Sequence, residues 1–108
     1  MLNRGDELVT SWLTVSEVQV HPYKVGRLDL CQLYRESIAR SCRLLPFGEQ
    51  AANSFVQIRT LGISSADAIQ LACASAVGTD LFITNDRKLH GLNIPNINFI
   101  TSVDRVPF

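Results

Sequence analysis

One tryptophan, one methionine and no net charge mark this chain of 108 residues, in which ten Lys and Arg offset ten Asp and Glu. That balance excludes a global electrostatic pull on nucleic acid, so any phosphate contact has to be local. The three cysteines, Cys31, Cys42 and Cys73, are odd in number and show no Cys-x-x-Cys spacing. They therefore indicate neither a disulfide framework nor a zinc site, and Cys42 and Cys73 read as small buried apolar residues. The amino terminus has no apolar signal core, and no apolar run approaches the roughly 18 residues of a membrane span, so the expected compartment is the reducing cytoplasm with no membrane contact. Gly-x-Gly-x-x-Gly and Gly-Lys-Ser/Thr runs are missing, which argues against a nucleotide-phosphate cradle. His21 and His90 have no metal-ligand spacing.

What is present suits one globular domain over residues 1–108, with 46% apolar and 19% charged residues and no repeat or linker. Leu8 to Ser11 reads as a short strand, followed by a helix bearing Val15 and Val18. Leu28 to Ile38 carries an apolar stripe at Leu30, Leu33, Tyr34 and Ile38, the pattern of an amphipathic helix. Arg43 to Phe47 is a strand that Pro46 ends, and Gly48 to Leu61 is a helix stopped by Gly62. Ser64 caps a helix over about Ser65 to Val77, with Asp67 at capping-box spacing and Gly78 as the stop. Strands follow at Leu81 to Asn85 and Ile97 to Thr101. Trp12 is expected in the core or at an interface.

Three carboxylates stand where a strand hands over to a helix or turn: Glu17, Asp67 and Asp86. A helix of about twelve residues runs roughly 18 Å in one direction, and the next strand returns roughly 17 Å, so Asp67 and Asp86 finish at the same end. In open α/β sheets that carboxyl end is where ligands bind. Thr14 to Glu17 is a second capping-box pattern, which puts Glu17 in a first helical turn and, with parallel strands, at the same edge. Each acid also has a plainer explanation. A first-turn acid favours the helix dipole, and Asp86 is suited to capping a turn. Jointly they suggest a divalent cation, because crowded carboxylates raise one another's pKa unless Mg²⁺ or Mn²⁺ neutralises them.

Thr14-Val15-Ser16-Glu17-Val18, Asp67-Ala68-Ile69-Gln70-Leu71-Ala72 and Ile83-Thr84-Asn85-Asp86-Arg87 resemble the second, third and fourth acidic motifs of the PIN-domain family, the fold of VapC-type toxin ribonucleases. The resemblance implies an α/β fold with an open parallel sheet flanked by helices. It also implies a ribonuclease in which Glu17, Asp67 and Asp86 hold Mg²⁺ or Mn²⁺, with Thr84 and Asn85 supporting Asp86. Lys24, Arg27, Arg87 and Lys88 are the candidate RNA contacts, and an antitoxin protein is an implied partner.

The family's opening strand, with its aspartate, has no counterpart here, and Asp6 is a poor substitute because a Gly-Asp pair before a strand reads as a turn. The expectation is thus an N-terminally truncated domain whose first strand and first helical segment are missing. By the same analogy that strand lies between the Leu8 and Leu44 strands on one side and the Phe82 and Phe99 strands on the other. Unpaired apolar edges invite association, so a homodimer or domain-swapped assembly is expected. Two functions stay open: a metal-dependent ribonuclease, or a catalytically deficient PIN-like interaction module.

Overall fold

A computed structural model describes residues 7–84 and 86–102. Asp6 and Asn85 lie outside the described residues. Nine elements follow one another: β1 (Val9–Ser11), α1 (Trp12–Lys24), α2 (Leu28–Ser41), β2 (Arg43–Leu45), α3 (Glu49–Arg59), α4 (Ser65–Val77), β3 (Thr79–Ile83), a single 3₁₀ turn (Arg87–Leu89) and β4 (Ile97–Thr101). The fold is the expected mixture of helices and parallel strands.

The organising element is α4. Ala68, Leu71, Ala72 and Ala74 are fully buried and Cys73 retains 1% exposure, so the helix is apolar nearly all round and belongs inside the molecule. Alanines let neighbours approach closely. α3 lies along it and contributes Ala51 and Ile58 to the core, while β1 and β3 rest against other parts of its surface. Both ends of α4 follow from local sequence. Ser64 supplies a side-chain cap at the start, and Gly78 at φ 73° ends it in a conformation that disfavours side chains.

β1 pairs in parallel with β2, Thr10 opposite Leu44, and β3 pairs in parallel with β4, Leu81 opposite Phe99. Among the described residues these remain two separate two-stranded sheets rather than one continuous sheet. Val9 and Ser11 are nonetheless 0% and 1% exposed. These two residues share the face of β1 that packs on α4, where Ser11 Oγ also bonds Gln70.

α1 and α2 form a hairpin turned at Gly26 (φ 76°), and α2 leans mainly on α1. Cys31 is its one buried residue, whereas Leu28, Leu33 and Tyr34 face solvent. One expectation changes here: Cys42 is half-buried rather than buried. Trp12 is 53% exposed at the start of α1, outside the core, which accords with the interface alternative of its expectation.

Candidate functional site

Asp67 owes its position to the start of α4. The Ser64 hydroxyl accepts the Asp67 N–H at 3.3 Å and donates to Asp67 Oδ2 at 3.0 Å, a reciprocal cap that fixes the carboxylate. Asp86 is set by the turn after β3. Its Oδ1 accepts the Lys88 N–H at 3.0 Å, so it caps the 3₁₀ turn, and its own N–H donates to Thr84 Oγ1 at 3.1 Å. His90, at the far end of that turn, bonds through Nε2 to the Thr84 carbonyl at 2.7 Å and ties the loop back on itself. Thr84 thus contacts the Asp86 backbone through its hydroxyl and His90 through its carbonyl.

Because α4 runs opposite to β3, its first turn meets the loop that follows β3. Asp67 and Asp86 consequently line one cleft of about 400 Å³, together with Arg59, Ser64 and Lys88 and an apolar floor that includes Ile63 and Leu89. Each carboxylate has one oxygen engaged by a neighbour. Asp67 Oδ1 and Asp86 Oδ2 accept no hydrogen bond among the described residues. Hard anionic oxygens of this kind fit Mg²⁺ or Mn²⁺, which bind through a few carboxylates and complete their shells with water.

Glu17 does not line that cleft; it is exposed on the second turn of α1. Among the described residues no three His, Cys, Asp or Glu side chains come together at ligand spacing. The reason lies in the contacts around the start of α1. α1 begins at Trp12, directly after β1, and Ser11 gives no side-chain cap. Thr14 is drawn elsewhere, accepting Gln70 Nε2 at 2.7 Å and Thr10 Oγ1 at 2.9 Å, while Ser11 Oγ donates to Gln70 Oε1 at 2.6 Å. The expected capping box at Thr14 and Glu17 is replaced by a clasp between α1 and α4.

The candidate RNA contacts are dispersed. Lys88 lines the cleft, whereas Arg87, its neighbour in the 3₁₀ turn, does not. Lys24 closes α1, and Arg27 precedes α2, where it binds Asp29 at 2.9 Å. The hydrogen bond from Arg27 holds the Asp29 carboxyl below its usual range. Two residues given no individual role in the sequence reading stand out: Gln70 clasps β1 and α1, and Arg59 lines the cleft. Gln70 follows Asp67 by one helical turn, the available clue to its role, and Arg59 is simply the last residue of α3.

A family model for the PIN domain matches residues 1–94. No curated protein and no solved structure matches the chain. PIN domains are in general divalent-metal-dependent nucleases that bind RNA. With the match spanning most of the sequence, the Asp67 and Asp86 motifs meeting in one cleft, and helices packed on parallel strands, the chain belongs to the PIN-domain family.

Proposed function

We propose that this protein is a metal-dependent ribonuclease that hydrolyses RNA phosphodiester bonds in the Asp67–Asp86 cleft. The supporting observation is the meeting of two carboxylates from separate elements, each with a free oxygen, at the carboxyl end of β3. Asp67 and Asp86 are the direct ligands of Mg²⁺ or Mn²⁺ in this reading. Glu17, outside the cleft, contributes through water. When bound, the ion supplies an activated water and relief of negative charge on the phosphate. The chain's own part is to fix the two carboxylates. Ser64 holds one, and Thr84 with the Lys88 N–H holds the other, so neither needs to reorganise as charge develops. Asn85 is proposed as a further support for Asp86, and Lys24, Arg27, Arg87 and Lys88 as contacts along the RNA backbone.

Adding Mn²⁺ at about 100 times its Kd is expected to stabilise the fold by about 2.7 kcal/mol. Asp67→Asn should remove that rise in Tm together with RNA cleavage, and Glu17→Gln should reduce cleavage less. Cleavage that survives Asp67→Asn unchanged would place the activity elsewhere.

A second reading is favoured by one observation, the absence of Glu17 from the cleft. In it the chain is a catalytically deficient PIN-like interaction module, stable without Mn²⁺ and recovered with partners. Exposed Val20, Tyr23, Leu28 and Leu33 on the α1–α2 hairpin support a protein partner under either reading, be it an antitoxin or a second copy. Sedimentation as a monomer would count against self-association. Among the described residues no helix is long and apolar enough to cross a membrane. A cytoplasmic toxin of a toxin–antitoxin pair is the fuller form of the nuclease proposal.

A further inference from the structure

The carboxylate cleft also carries positive charge that its own acids leave alone. Arg59 and Lys88 line it beside Asp67 and Asp86. Yet the ion pairs among the described residues are Arg27–Asp29, Arg40–Glu36 and Arg43–Glu7. Arginine near two carboxylates ordinarily settles onto one of them. Here Arg59 Nε instead donates to Ser65 Oγ at 3.2 Å, across the turn that joins α3 to α4. That anchor uses one donor and leaves both Nη groups unengaged by any described residue.

We propose that Arg59 is a phosphate-binding residue of this cleft, gripping the RNA backbone beside the scissile bond; the role rests on the ribonuclease reading above. Each wall then carries one carboxylate and one cation: Asp67 and Arg59 on the helix ends that flank the α3–α4 turn, Asp86 with Lys88 on the turn after β3. Paired carboxylates suit a dication, and the flanking cations suit the phosphate that the dication draws in. The planar guanidinium matches two phosphate oxygens at once, which the Lys88 ammonium cannot do. A plainer account exists, because a cation in the last turn of α3 complements the helix dipole. It explains the residue type but neither the bond to Ser65 nor the place in the cleft wall.

The test is binding of a short fluorescent single-stranded oligoribonucleotide of mixed sequence to the full chain, followed by anisotropy in EDTA over a salt series. Arg59→Gln should weaken binding about tenfold, the worth of roughly one charge-assisted hydrogen bond. It should also lower the slope of log K against log salt by about 0.7, one phosphate contact on a single strand. Arg59→Lys should restore the slope but only part of the affinity, and neither variant should alter the Mn²⁺-induced rise in Tm. Unchanged affinity and slope in Arg59→Gln, or no binding by the wild-type protein at low salt, overturns the proposal. The nuclease reading is judged separately by the Mn²⁺ melt and by Asp67→Asn, so a failure of either is recognised on its own.

Discussion

Two polar clefts lie at opposite ends of β3, and they differ in whether an acid is paired with a base. At the amino end, a cavity of about 500 Å³ is lined by Glu7, Thr79, Asp80, Asn96 and Asn98. Its acids are engaged: Glu7 Oε1 meets Arg43 at 3.5 Å, and Asp80 Oδ1 accepts Asn98 Nδ2 at 2.9 Å. At the carboxyl end, acids and bases share a smaller space without forming ion pairs among the described residues. At both ends each acid keeps one oxygen free of any bond to a described residue, so the contrast lies in the ion pair. Size alone would favour the amino end. A binding site is marked by groups that the protein orients without neutralising, because those groups still have interaction energy to offer a ligand.

The comparison breaks most severely when the element shared by both clefts is damaged. α4 supplies Asp67 at one end and Val77 and Gly78 at the other. Leu71, at its middle, is fully buried. Leu71→Ala should cost about 2–5 kcal/mol of stability by removing apolar contacts and leaving a cavity. Urea denaturation should show a lowered midpoint, and metal response and RNA binding should both decline, since neither wall of the carboxylate cleft remains fixed.

How much of this was readable without coordinates depends on the range of the interaction responsible. α4 and β4 fall where the sequence placed them because their limits are local: Ser64 and Gly78 for the helix, and a five-residue apolar-rich run for the strand. Asp67 and Asp86 converge because opposed lengths of helix and strand impose it. Glu17 was misplaced for the contrary reason. Thr14-Val15-Ser16-Glu17 has the local form of a capping box, but Thr14 is claimed by Gln70, 56 residues away. A contact at that separation leaves no trace in a four-residue window. Arg59 escaped notice similarly, since its place in the cleft depends on how the α3–α4 turn folds back, with Gly62 at φ 82°.

A gentler change separates the two ends of β3. Ser64→Ala removes both halves of the reciprocal bond with Asp67. The lost cap should cost about 1 kcal/mol of stability. The freed carboxylate should lower Mn²⁺ affinity by about 10- to 100-fold, as expected for a lost outer partner of a ligand. Titration calorimetry with Mn²⁺ would measure this. Glu7→Gln at the other end should change stability by no more than about 1 kcal/mol, because the pair with Arg43 is largely exposed. It should leave Mn²⁺ affinity unaltered. Equal losses of affinity from both substitutions would erase the distinction between the clefts.

The smallest effect concerns a charge pair outside both. Arg27 and Asp29, at the start of α2, are mutually satisfied and face solvent. The Arg27 hydrogen bond depresses the folded-state pKa of Asp29, so this pair's contribution is present above the ordinary carboxylate pKa and disappears as pH falls through the depressed one. Asp29→Asn should flatten that acid limb of the stability curve slightly at low salt, and added salt should make variant and wild type coincide. The same acid titration followed in Asp67→Asn should retain the Asp29 component, since the two groups belong to different elements and share no hydrogen-bond partner. Coupling between them would mean that the α1–α2 hairpin communicates with the carboxylate cleft, and the Thr14–Gln70 clasp between α1 and α4 is a route for it.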